Sequence, residues 1–342
     1  MSKWGFLLCL QFIVVLSFGA EVDHFTNRYT EIKDSKEIIN QKISLYLADV
    51  VYKHNKKNDI CRQDQLIAGL RNVFNNHLKK AHFMEFLFES TSLDIKSVKK
   101  VNSIYKDWSF FNGAIINLQK DKIDSLVIFP LLKVGSVEVG FDKFEHLFGS
   151  GFKFFSEYYI DKKPMVEILK TNIKRERGFL GGSWYATGVF SFGDLVANFN
   201  GIRFWNDILG FGADILDQTV KPVISCLDGK YVKVNDLDIS RYFDFGVDER
   251  VNCSQFATKS ATIKINKLGF SKLCSNSSFE FLKLDRKYKQ YSKYLLNKWG
   301  HVQVEFDEYF DNYGRISTSL RKKIRKEKFK KIRKNISRRM RL

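Results

Sequence analysis

Four side chains between residues 142 and 194 have types suited to acid–base chemistry: Asp142, His146, Glu176 and Asp194, with Asn198 one helical turn after the last. Asp142 and His146 stand at i and i+4, so a helix would present them on one face. Three uses fit that pair. Asp142 can cap a helix start, or it can orient the imidazole, because a buried carboxylate fixes the tautomer and raises basicity. The two can also be metal ligands, with Asp194 as the third. No metal or other cofactor is expected, since the cysteines and histidines lack the paired spacing of a zinc site.

Glu176 lies in the run Lys174-Arg175-Glu176-Arg177, just before Gly178. That run reads as a helix C-terminus, where basic residues belong and an ionised carboxylate is disfavoured. A carboxyl there that also faces an apolar cleft would keep its proton, as the general acid of a glycosidase must. The plainer reading is a solvated surface charge. After Gly178 comes a glycine-rich aromatic stretch with Ser183, Trp184, Tyr185, Phe190 and Phe192. Trp184 and Tyr185, with Ser183, are candidate substrate contacts, because flat rings stack on sugars; the alternative is a hydrophobic loop packed into the core. Asp194, Asn198, Gly201 and Trp205 fall on one face of a helix that Ser191 would cap and Gly210 would end. Polar groups on so apolar a helix need partners, so a structural hydrogen-bond network competes with catalysis as the role of Asp194.

These residues need helices to position them. Apolar residues recur at helical spacing over residues 28–58, 62–89, 142–159 and 279–299, and Pro164 opens a further helix whose buried stripe is Met165, Ile168, Leu169 and Ile173. His77 and His82 are five apart, on different helix faces, and read as ordinary histidines. Residues 125–139 read as β-rich or as an irregular buried crossing, and residues 229–245 and 260–270 alternate like short strands. The chain holds 342 residues with 44% hydrophobic side chains and only 3 prolines. The expected fold class is therefore mainly α (α+β): one helical domain with a small disulfide-braced β subregion.

The first twenty residues carry Lys3, an apolar run and the small residues Ser17, Gly19 and Ala20, the pattern of a cleaved export signal. The apolar run is shorter than a spanning helix needs. A periplasmic or secreted location follows, and with it disulfides among Cys61, Cys226, Cys253 and Cys274. Cys226–Cys253 with Cys61–Cys274 is the expected pairing, against buried free thiols. The expected organisation is a signal over residues 1–20, an N-terminal helical part over 21–135, a core with the site over 136–300 and a C-terminal segment over 301–342.

The formal net charge is +19. Residues 321–342 alone carry thirteen Lys/Arg and one Glu. Ile324, Ile332, Ile336 and Met340 recur there at helix-compatible spacing. Such a tail is unfolded or a surface-seeking amphipathic helix. Its expected partners are anionic wall polymers or acidic lipid headgroups. Nucleic acid is the less expected partner in an exported chain, although phosphate contacts by Lys and Arg are sequence-independent.

The phrases DKFEH, ERGFLGG, GVFSFGDLVANFNGIRFWNDIL and DERVNCS resemble exported lysozyme-like proteins of predatory bacteria, a group that includes a lysozyme acting on deacetylated peptidoglycan. More broadly, a helix ending in Glu followed by a glycine-containing motif resembles goose-type and lytic-transglycosylase-like enzymes. The resemblance covers about residues 139–253. It implies a lysozyme-like fold, a peptidoglycan glycan-strand hydrolase, Glu176 as the acid, and Tyr185 and Asn198 as substrate contacts. The sequence departs from that pattern in lacking the G-L-M-Q element and in placing Gly149 where an acid is expected. A non-catalytic envelope protein that binds wall or membrane through its tail is the alternative.

Overall fold

One helix among the described residues has no solvent face. In Phe192–Leu209 (α7) every residue from Phe192 to Ile208 is buried, and this is where the apolar and polar stripes both find partners. Ser191 caps it, its Oγ accepting from the Asp194 N–H, and Gly210 ends it at φ +66°, as the sequence pattern predicts.

The structure is a computed structural model that describes residues 21–75, 81–113, 116, 128–177, 187–269 and 278–298. The chain divides into two compact units, residues 1–301 and 302–342; the basic tail, in the second, lies outside the described residues. The first unit is mainly helical with small two-stranded sheets. Glu21–Val22 (β1) pairs in parallel with Ile128–Phe129 (β2). Lys36–Lys57 (α1), Gln63–Phe74 (α2) and His82–Glu89 (α3) follow in sequence between them. The hairpin Leu131–Val134 (β3) and Val137–Gly140 (β4) is antiparallel and leads straight into the site. No helix among the described residues is long and apolar enough to cross a membrane.

From Phe141 to Ile160 the chain is helical, but in four pieces. Phe141–Glu145 (α4) and Gly151–Phe155 (α5) are α-helical, and His146–Ser150 and Ser156–Ile160 are π-helical turns. This composite helix lies against α7 at glycine. A Cβ on Gly201 would stand 2.1 Å from the Leu147 carbonyl oxygen and 2.6 Å from the Gly151 Cα, so the backbones touch only because both residues lack one. Trp205 Nε1 donates to the Phe148 carbonyl oxygen at 3.1 Å. The Phe148 ring has its centroid 5.0 Å from each of Phe74, Phe83 and Phe204, joining α2, α3 and α7 in one aromatic core.

Met165–Arg177 (α6) follows, then Val189–Phe190 (β5), which pairs with Gln255–Phe256 (β8). Ile224–Leu227 (β6) pairs with Lys230–Lys233 (β7). Only that part of residues 229–245 is a strand; Asp238 then starts a 3-10 turn, Ile239–Arg241, by accepting from the Ser240 N–H. The alternation read as a strand over residues 260–270 is instead the helix Lys259–Lys267 (α8). Thr258 caps it, accepting from the Ala261 N–H, and Ala261 and Ile265 bury one side at helical spacing. Phe279–Tyr288 (α9) and the short Ser292–Leu295 (α10) close the described chain.

The expected disulfide pairing is corrected. Cys61 bonds Cys226, with a Cα–Cα distance of 6.1 Å. The β6–β7 hairpin leans on the end of α1, where Asn55 Nδ2 donates to the Tyr231 carbonyl and Lys230 Nζ to the Asn58 carbonyl, both at 2.8 Å. That docking brings Cys226 to Cys61 and excludes Cys226–Cys253 and Cys61–Cys274. Cys253 is also disulfide-bonded; Cys274 lies outside the described residues.

Candidate active site

The first turn of α7 aims Asp194 back at the composite helix. Its Oδ1 lies 2.5 Å from Lys143 Nζ and its Oδ2 lies 3.3 Å from His146 Nε2. Lys143 is fully buried and also reaches Asp142 Oδ2 at 2.6 Å, Ser191 Oγ at 3.2 Å and Glu249 Oε1 at 3.7 Å. His146 Nδ1 lies 3.0 Å from Asn198 Oδ1, and Asn198 Nδ2 donates to Asn172 Oδ1 on α6 at 2.9 Å. The Asn198 amide oxygen that faces the ring can only accept, so Nδ1 carries a proton and donates it. Three elements (the composite helix, α6 and α7) thereby lock one imidazole.

Glu176, on the last turn of α6, is only 5% exposed. It is not the solvated charge that its neighbours Lys174 and Arg175 suggest. The Arg175 guanidinium lies 5.7 Å over the Phe154 ring, while Glu176 shares a hydrogen bond with Asp194. Burial, then the negative charge of Asp194, pushes the Glu176 carboxyl up to about 8. For Asp194 burial works toward protonation, but His146 and Lys143 win and hold it below the usual carboxylate range. Burial disfavours charge on His146 too, yet the Asp194 carboxylate raises it to about 10. Near neutrality the centre is therefore an ionised Asp194 between two cations, with a protonated Glu176 bonded to it. Behind Lys143, burial raises Glu249 to about 7 and lifts Glu21 well above its ordinary value. Thr187 Oγ1 donates to Glu21 Oε1, and Ser191 Oγ to Glu249 Oε1 at 3.1 Å.

Of the residues singled out in the sequence, Glu176, Asp194, His146 and Asn198 come together. Asp142 is buried but does not do what was expected. Gly140, not Asp142, occupies the helix cap position, and Asp142 Oδ2 bonds Lys143, while the ring is oriented by Asp194 and Asn198. Ser183, Trp184 and Tyr185 lie outside the described residues. Sequence reading missed Lys143, Asn172, Glu249 and Glu21. Lys143 had a signal: it shares the i, i+4 row of Leu147 and Gly151, the row that meets α7. Glu21 and Glu249 arrive from distant segments and carry no local mark.

His146, Glu176 and Asp194 each offer a ligand atom within 4.8 Å of the others. A neutral His146 donating from Nδ1 to Asn198 would leave Nε2 free for a cation, the usual orientation of a ligating imidazole. Among the described residues these three, rather than Asp142, His146 and Asp194, are the ones placed to hold a metal. No protein-family model, curated protein or solved structure matches the chain.

Proposed function

We propose that this chain is an exported peptidoglycan hydrolase that cleaves the glycan strand, with Glu176 as the general acid. The observation that carries the reading is a buried carboxyl, at the end of a helix, whose proton is retained to about 8. Such a group can protonate a leaving glycosidic oxygen at neutral pH. Asp194 has both oxygens engaged by Lys143 and His146, so in this reading it acts through Glu176, holding its proton, and not as nucleophile or base. Water or the substrate's own groups complete the displacement. The polymer itself comes from the resemblance to lysozyme-like exported proteins, and so does the lysozyme-like fold.

The test is turnover of native and deacetylated peptidoglycan by the purified chain and by Glu176→Gln. Glycan cleavage by the wild type with a loss of about 10²–10⁴-fold in the variant is expected. Undiminished cleavage by Glu176→Gln removes the reading. No cleavage by either protein leaves the envelope-binding alternative, in which deleting residues 321–342 abolishes attachment to wall or membrane.

A second reading is favoured by the ligand geometry of His146, Glu176 and Asp194: hydrolysis by a water bound to a divalent cation there. The two readings exclude each other, because a cation would displace the Glu176 proton. Stoichiometric metal in the purified protein, with loss of activity to a chelator, selects the second; metal-free, chelator-resistant turnover selects the first.

A further inference from the structure

The turn carrying Phe110 and Phe111 runs into Asn112 and Gly113, which lie against Thr187 and Gly188 at the edge of the acid cluster. Phe110 is 59% and Phe111 87% exposed. Single exposed apolar side chains are ordinary; two adjacent phenylalanines held outward on one turn are not. The turn is firmly built. Asn112 is buried, its Oδ1 accepts from the Ser109 N–H at 3.1 Å, and its Nδ2 donates to Thr258 Oγ1 at 2.8 Å. Lys264 of α8 donates to Asn112 Oδ1 at 3.0 Å and to the Asp107 carbonyl. Just before the pair, Trp108 is buried edge-on against Tyr105 and Phe256, in a core shared with Ala261 and Ile265. A rigid base thus projects the two rings.

The surroundings are cationic. Residues 99–113 and 256–269, which these bonds join, contain six lysines and a single carboxylate, Asp107. Lys106, four residues before Phe110, and Lys267, on the helix whose Lys264 bonds Asn112, are exposed. Projecting aromatic rings with a lysine surround match the two forces of interfacial binding, apolar insertion below the headgroups and attraction to anionic lipid. Single-stranded nucleic acid fits less well. Successive bases stack on rings set along a groove, whereas these two lie at 86° to each other on one tip.

We propose that this turn, with its lysine surround, is a docking face for an anionic phospholipid bilayer, independent of the C-terminal tail and of the reaction at Glu176. The full chain is mixed with vesicles of phosphatidylglycerol or of phosphatidylcholine. Binding is expected to the anionic vesicles, and Phe110→Ser/Phe111→Ser is expected to lower partition about tenfold. Because the tail can bring the chain to the same vesicles, the deciding arm is Phe111→Trp with bromine-labelled acyl chains. Quenching of the added indole fluorescence, over the wild-type background, supports the proposal. An unquenched indole on bound protein overturns it, as do absence of vesicle binding and a double variant that loses only binding to single-stranded nucleic acid.

Discussion

Lys143 Nζ and Asp194 Oδ1 lie 2.5 Å apart, with the lysine side chain fully buried and the aspartate nearly so. This ion pair is the hinge of the site's electrostatics, because the same ammonium faces Asp142 and Glu249. Lys143→Met keeps the bulk and removes the charge, leaving buried carboxylates without their cation. A loss of about 3–5 kcal/mol is expected, read as a lowered urea midpoint. A variant as stable as wild type would show that the carboxylates are neutral in the fold and that Lys143 does not organise them.

The proton on Glu176 has a thermodynamic signature. Its carboxyl is raised from 4.5 to about 8 on folding, so between those values the folded state holds a proton that the unfolded state has released. Stability contributed by this group is full below 4.5 and falls as pH rises toward 8. His146, raised from 6.5 to about 10, adds a loss in the same direction at higher pH. Glu176→Gln removes only the first of these. The variant should therefore gain on the wild type between about pH 5 and about pH 8, measured as the difference in melting temperature. Parallel curves would mean that Glu176 is ionised in the fold. Catalysis by the acid form should likewise decline above about pH 8.

Gly201 and Gly151 permit the backbone contact between α7 and the composite helix. A methyl at Gly201 meets the Leu147 carbonyl and the Gly151 Cα, both backbone atoms that cannot swing aside. Gly201→Ala should cost about 1–3 kcal/mol, against the small gain that Gly→Ala brings in an unconstrained helix. Thermal denaturation decides the sign. Since His146 begins the π-helical turn at this contact, the same variant should also lower turnover.

The Cys61–Cys226 bond spans a sequence separation of 165. Replacing both cysteines by serine should destabilise by about 2–4 kcal/mol, with a wild-type circular dichroism spectrum. An unchanged denaturation midpoint under oxidising conditions would show that the hairpin stays docked on α1 through Asn55 and Lys230 alone.

Much of this arrangement was legible in the sequence. Ser191 and Gly210 delimit α7 because capping and left-handed backbone are local chemistry. The row Asp194, Asn198, Gly201 and Trp205 lies against the composite helix because helical periodicity is local too. What could not be read depends on segments far apart in the chain. Cys61 meets Cys226 through the docking of a hairpin on a helix end, and Glu21 and Glu249 converge on Lys143 from two segments remote from it in sequence. Residues 260–270 misled because alternation over a few residues does not distinguish a strand from a helix with one buried stripe; the Thr258 cap was the better guide.

The all-round burial of α7 has a consequence for anyone seeking a smaller version of this protein. A rod enclosed by packing on all sides allows none of the segments that cover it to be trimmed, since removing any of them would bare hydrophobic residues to water and invite self-association. The proton-holding cluster is mounted on that rod. It is a property of the whole enclosure and will not be transplanted as a short excerpt.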